Sequence, residues 1–171
     1  TSVKTTLELN DSAQKLADEL NLEYVKRNKT TIKQLLETAK GVIVVYRNKL
    51  SYFENDSEFF FHLDTTALKI KNSDNEPLVE IIGKEKQNVL DCTMGLAGDS
   101  ILLSYYGHNV TSIEKNKIIH LITSNGLKNY ISPSEEINKA MRKIITYNYD
   151  CIDYLKSTPD NSFDIVYFDP M

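Results

Sequence analysis

From Asn88 onward the chain alternates short β-rich segments with helical ones, and every β-rich segment runs into an acidic residue. The segments are NVLDC with Asp91, NVTSIE ending at Glu114, IITYNYD ending at Asp150 and FDIVYFD ending at Asp169. Between them lie DSILLSYYG, NKIIHLITSNGLKNY, PSEEINKAMRK and CIDYLKS, whose apolar spacing reads as helix. Such alternation predicts an α/β fold built on a doubly wound, mostly parallel sheet. In that architecture ligands bind beyond the carboxyl ends of the strands, near the point where strand order reverses. Acidic groups gathered on one sheet edge repel one another, so solvent or a ligand must offset them.

The first half has a different period. NDSAQKLADELN (Asn10 to Asn21) carries Ala13, Leu16, Ala17 and Leu20 on one stripe and reads as a short amphipathic helix. TTIKQLLETAKG reads as a second helix, with Thr30 or Thr31 as N-cap and Gly41 as terminator. VIVVYRNKLSYFENDSEFFFHLD then becomes β-branched and aromatic, with turns at Arg47-Asn48-Lys49 and Glu54-Asn55-Asp56. The reading is a small N-terminal α+β unit over 1–75 and a strand-helix domain over 76–171. Between them lies the polar stretch NSDNEP, Asn72 to Pro77.

Composition removes several classes of function. No apolar run approaches the roughly 18 residues of a membrane span, and the polar start lacks a signal peptide's apolar segment, so a cytoplasmic protein is expected. Cys92 and Cys151 are too few for a disulfide framework and do not sit at zinc spacing with His62, His108 or His120, so each reads as a structural thiol. The formal charge of -4 requires any nucleic-acid binding to use local positive potential. The densest basic stretch, YVKRNK from Tyr24 to Lys29, followed by Lys33, suits a phosphate backbone or simply a solvated face.

The first loop of the second half, DCTMGLAGD from Asp91 to Asp99, contains glycine but lacks the GxGxxG dinucleotide fingerprint. Asp91 at its head and Asp99 at its end disfavour a pyrophosphate and favour a ligand bearing an ammonium or sulfonium. Gly95 and Gly98 permit close approach or positive φ, Thr93 ties the turn, and Asp99 also suits a helix N-cap. Glu114 ends the next strand, where an acid meets the ribose hydroxyls of an adenosine cofactor. Lys115 beside it packs along the sugar or adenine. Asp150, with the amide of Cys151, is placed to accept from an adenine amino group. A cationic amino-acid end, a ribose and an adenine together describe S-adenosylmethionine, and hence a methyltransferase.

VLDCTMGLAGDS, SIEKN, NGLKNY and DIVYFDPM resemble the class I methyltransferases of the ribosomal small-subunit methyltransferase J type. The resemblance covers the second half and, more loosely, the first. It implies a Rossmann-like class I methyltransferase fold that binds S-adenosylmethionine and methylates the exocyclic N2 amine of a guanine in small-subunit ribosomal RNA. By motif, Gly98-Asp99, Glu114-Lys115, Asp150-Cys151 and Asp169 would line the cofactor site. That family commonly has glycine where this chain has Ala97, and a basic residue where it has Gly98.

Asp169-Pro170-Met171 resembles the Asp/Asn-Pro-Pro-aromatic motif of amino-group methyltransferases. Asp169 and the Pro170 carbonyl would orient the amine in line with the methyl group. Tyr167 and Phe168 read as core, and His62, in FFHLDTTALKI, as a packed histidine. A sheet of this class usually has further strands, so the chain reads as a catalytic loop interrupted after Met171. Alternatives from other classes are a methyltransferase for another amine, on DNA, protein or a small molecule, and a non-catalytic RNA- or nucleotide-binding module.

Overall fold

The computed structural model describes residues 1–71 and 76–170. The chain divides into two compact units, Thr1–Phe61 and His62–Met171. The stretch read from sequence as a boundary, Asn72 to Pro77, overlaps 72–75, which lie outside the described residues. Met171 lies outside them too.

In the first unit, α1 (Leu7–Leu20) begins earlier than its apolar stripe suggested. Thr6 rather than Asn10 caps it, accepting from the Leu9 amide at 3.4 Å. Ala13 and Ala17 of the stripe are buried. α2 (Ile32–Leu36) opens with a reciprocal cap between Thr31 and Gln34. It stops well before Gly41, which leads into the sheet instead of terminating the helix. The meander is β1 (Val42–Val45), β2 (Leu50–Glu54) and β3 (Ser57–Phe60), antiparallel in that order, with Val42 opposite Phe53 and Ser51 opposite Phe60. Val44 and Ser51 are wholly buried within it.

The second unit opens with two helices the sequence pattern did not mark, α3 (Asp64–Lys71) and α4 (Pro77–Ile82). Both are short, and α3 packs on α5. The expected alternation follows as β4 (Asn88–Asp91), α5 (Gly98–Tyr105), β5 (Asn109–Ile113), α6 (Lys117–Asn129), α7 (Glu135–Lys143), β6 (Ile145–Tyr147), α8 (Cys151–Ser157) and β7 (Ile165–Tyr167). The strands form one parallel sheet in the order β6-β5-β4-β7.

The strand period of two explains how helices cover both faces. Val89 and Val110 point to one face, packing with Leu103 of α5 and with Leu78 and Ile82 of α4. Leu90, Cys92 and Ile113 point to the other, against Cys151, Tyr154 and Leu155 of α8. Val89 and Leu90 are both fully buried, each contributing about 1.5–3 kcal/mol of apolar burial. β4 is therefore central, with β5 and β6 laid to one side of it and β7 to the other. The reversal of strand order falls between β4 and β7. Phe168, read as core, is instead 49% exposed just beyond β7.

α5 ends in a tight left-handed turn. The amide of Gly107 donates to Ser104 O and that of His108 to Leu103 O, each at 3.1 Å, with Gly107 at φ 98°. A Cβ at Gly107 would meet nothing within 4 Å, so the cost of adding one is torsional. Gly107→Ala is expected to lower stability by about 1 kcal/mol. An unchanged urea midpoint would show that this turn does not constrain α5.

Candidate functional site

The loop after β4 crosses the carboxyl ends of the central strands, and protein groups hold it from below. Asp91 is 2% exposed. Its Oδ1 accepts the Thr93 amide at 2.9 Å and its Oδ2 the Ser100 hydroxyl at 2.5 Å. Ser100 is itself paired with Ser112 of β5, Oγ to Oγ 2.7 Å. Burial holds the Asp91 carboxyl above its ordinary range; the bonds from Ser100 and Thr93 pull it back, and Asp99 and Glu114 add to the rise. Both oxygens of Asp91 thus face inward and organise the loop.

Gly95 sits at φ 51° with both backbone groups engaged. Its amide donates to Glu114 Oε2 at 3.2 Å, and its carbonyl accepts the buried Thr123 hydroxyl at 2.7 Å. Ala97, wholly buried, is the N-cap residue of α5 and lies in the left-handed region at φ 60°. A glycine at this position would carry no Cβ penalty. A Cβ on Gly98 would start 3.1 Å from Thr66 Oγ1, so a larger residue there requires Thr66 to give way.

Asp99 does not cap α5, as its position in the sequence had suggested; it lies in the first turn after Ala97. Its Oδ1 pairs with Lys69 Nζ of α3 at 2.6 Å, and its Oδ2 accepts the Tyr167 hydroxyl of β7 at 2.9 Å. Burial lowers the Lys69 ammonium, but the bond and charge of Asp99 outweigh it and the net shift is upward. Burial and then Asp99 push the Tyr167 phenol well above its ordinary range. Tyr167, read as core, is half-buried and presents its hydroxyl to this cluster. Neither Lys69 nor Tyr167 had carried a role in the sequence, because their only signal is proximity in the fold.

At the end of β5, Glu114 accepts the Gly95 amide on Oε2 and the Asn116 amide on Oε1, the latter at 2.7 Å. Each carboxylate oxygen keeps acceptor capacity. Asn148 braces this strand end by donating to Glu114 O at 2.7 Å and Lys115 O at 3.1 Å. Lys115 pairs with Asp150 at 2.9 Å. The hydrogen bond from Lys115 is the largest influence holding the Asp150 carboxyl low, and the same bond raises Lys115. Asp150 also caps α8 through the Ile152 and Asp153 amides at 2.9 and 3.3 Å. Cys92 and Cys151, read as separate structural thiols, are instead joined as a disulfide with Cα atoms 5.5 Å apart. The end of β4 and the start of α8 meet on one face of the sheet, which brings the two together.

Asp169 follows β7 on the other side of the reversal. Its amide donates to Thr93 Oγ1 at 2.8 Å, tying the two sides of the crevice together. Its carboxylate is exposed and accepts no hydrogen bond among the described residues. Pro170 is exposed beside it. The edge acids therefore divide: Asp91, Glu114 and Asp150 hold local structure, while the Asp169 carboxylate accepts no hydrogen bond among the described residues and acts by its charge on Lys69 and Tyr167.

Residues 15–171 match the family model described as "Putative SAM-dependent methyltransferase". Over 169 residues the chain is 38% identical to the uncharacterized protein YpiP of Bacillus subtilis (strain 168), covering 94% of this chain and 66% of that protein. Over 160 residues it is 30% identical to Ribosomal RNA small subunit methyltransferase J of Francisella tularensis subsp. novicida, covering 91% of this chain and 61% of that protein. The chain thus spans somewhat under two thirds of the length of these curated relatives. The crystal structure of a SAM-dependent methyltransferase from Neisseria gonorrhoeae has the same fold, with a TM-score of 0.68 at 18% identity over 99% of this chain and 68% of that one. No helix among the described residues is long and apolar enough to cross a membrane.

Ser100→Ala leaves the buried Asp91 carboxylate short of a donor and is expected to cost about 1–3 kcal/mol. A urea midpoint within experimental error of the parent would contradict that. The raised Asp91 pKa has a separate consequence. A carboxyl that holds its proton longer when folded contributes stability below its unfolded pKa, and that contribution is lost as pH rises through the folded value. Asp91→Asn should therefore flatten the dependence of unfolding free energy on pH above about 4, the ordinary aspartate value. An unchanged profile would remove Asp91 from the titration.

Proposed function

Because the chain belongs to the family of SAM-dependent methyltransferases, we propose that it transfers a methyl group to an exocyclic amine, with ribosomal RNA as the substrate class. S-adenosylmethionine is the cofactor of that family. The observation that carries the proposal is the division of labour among the edge acids: at the β4/β7 reversal the exposed Asp169 carboxylate accepts no hydrogen bond among the described residues. The residues present suit this cofactor chemically. Glu114 has acceptor capacity for a ribose diol, and no GxGxxG loop offers amides to a pyrophosphate.

The residues we assign to the cofactor site, whether lining it or supporting it from beneath, are Asp91, Thr93, Gly95, Ala97, Gly98, Asp99, Glu114, Lys115, Asp150, Cys151 and Asp169. Their roles differ. Asp91 acts from beneath, holding the Thr93 amide and Ser100 so that the loop keeps its course. Glu114 would accept the ribose hydroxyls while its bond to Gly95 keeps loop and strand end in register. Asp150 and Lys115 would border the adenine edge as a pair, their mutual bond fixing both side chains.

When bound, the cofactor supplies an electrophilic methyl group on a sulfonium. The chain's own part is to aim the nucleophile. An aromatic amine's lone pair is delocalised into its ring and points poorly at an electrophile. Hydrogen bonds from the amine to the Asp169 carboxylate and the Pro170 carbonyl would hold that nitrogen in line. Asp169 would also stabilise the positive charge that develops on nitrogen, and accept a proton afterwards. Thr93 positions this group through the Asp169 amide.

The ribosomal-RNA assignment is supported by the name of the 30%-identical relatives. A base in a helix is inaccessible, so the target would be an unpaired or extruded nucleotide, and guanine N2 is the amine that the resemblance implies.

Asp169→Ala is expected to leave S-adenosylhomocysteine affinity within about tenfold of the parent while abolishing most methyl transfer to small-subunit ribosomal RNA. Transfer would be followed as tritium incorporation from labelled cofactor. Undiminished incorporation would exclude Asp169 from the reaction. Glu114→Ala should instead weaken cofactor binding, and unaltered affinity would contradict the ribose role.

A further inference from the structure

We infer that the first unit carries a binding site for the phosphodiester backbone of RNA, separate from the cofactor crevice. The inference rests on the ribosomal-RNA reading above. An open concavity of about 460 Å³ lies among the chain start, the segment before α2 and the entry to α1. Lys4, Arg27 and Lys29 line it together with four threonines and Val3, and no acidic residue does. The chain as a whole has a net charge of -4, so this concentration of positive charge runs against the overall balance.

Ion pairs among the described residues use Lys49, Lys69, Lys115, Lys139 and Lys156. Lys4, Arg27 and Lys29 thus face their shared concavity without an acidic partner among those residues. Like charges brought together without a counter-charge favour an anion between them.

The surrounding geometry suits phosphate oxygens. Arg27 is half-buried, and its Nε donates to Thr30 O at 3.0 Å, so the guanidinium is held in one orientation. Its remaining donors form the planar fork that matches phosphate oxygens. Lys29 sits at φ 65°, a left-handed backbone that turns the chain so that Lys29 shares a concavity with Lys4. The Thr6 and Thr31 hydroxyls accept helix-capping bonds, whereas Thr5 and Thr30 are open to a ligand.

An RNA backbone fits better than a small free anion because the cavity is open and the exposed Lys26 and Lys33 lie within two residues of its lining in sequence. No aromatic side chain lines it, so it offers no platform for a base. The expected contact is with phosphate, which positions RNA without reading its sequence. The basic stretch seen in the sequence, Tyr24 to Lys29, thereby acquires a site, with Lys4 as a member that no local pattern indicated.

The test is fluorescence anisotropy of a labelled single-stranded RNA of about 20 nucleotides, long enough to span the concavity, titrated at several chloride concentrations. The parent chain would be compared with Lys4→Gln/Arg27→Gln/Lys29→Gln and with Lys4→Gln/Lys29→Gln, which keeps the half-buried arginine. S-adenosylhomocysteine affinity serves as the folding control. The triple variant should bind RNA about tenfold more weakly, with a log–log salt slope flatter by about 2; the double variant should be flatter by about 1.4. Parent and variants binding RNA alike would overturn this inference and leave the proposed function standing. A parent chain that binds no RNA would overturn both. Inorganic phosphate should displace RNA only as much as chloride does at equal ionic strength. Stronger displacement would make the pocket a small-anion site and overturn the RNA assignment.

Discussion

The second unit depends on a carboxylate buried beneath its central loop. Asp91 ends β4 at the middle of the sheet, and burial makes its charge unfavourable. The Thr93 amide and Ser100 hydroxyl are the groups that make it tolerable. Meeting that need sets the path of the chain. Thr93 must turn back over Asp91, and Ser100 must stand in the first turn of α5. Ser112 of β5 is drawn in through Ser100, so the loop, the helix and the neighbouring strand share one buried network. Asp91 and Ser100 each have two partners in this network, which favours a single loop conformation over several.

From that network the crevice is assembled in tiers. Gly95 is gripped by Glu114 and Thr123, which fixes the loop to β5 and α6. Asp99 reaches the other way, to Lys69 of α3 and Tyr167 of β7. Thr93 completes the ring by accepting the Asp169 amide. The sheet edge therefore does not tolerate its acids by solvent alone. Hydroxyls, amides and two lysines offset most of them, and the remaining carboxylate, on Asp169, stands where strand order reverses.

The sheet was legible because its strands are β-branched runs closed by acids, and its helices carry regular apolar stripes. VIVV and IVY announce themselves locally, as do the capping threonine at Thr31 and the acid at Asp150. What escaped the sequence depends on partners far away along the chain. Nothing near Asp99 indicates Lys69 or Tyr167, so a helix cap was the natural reading, and the actual cap residue, Ala97, has no capping side chain at all. Cys92 and Cys151 likewise have no local pattern that pairs them; only the approach of α8 to the end of β4 does. The four acids looked equivalent in sequence. Their hydrogen-bond partners separate them.

These relations make one claim central: the crevice formed by the loop after β4 and the ends of β5 and β7 holds S-adenosylmethionine. Isothermal titration of the intact chain with S-adenosylhomocysteine, with NAD as the comparison, tests it most directly. The account predicts saturable one-to-one heat with S-adenosylhomocysteine and none with NAD. Heat with NAD alone, or with neither, would contradict it.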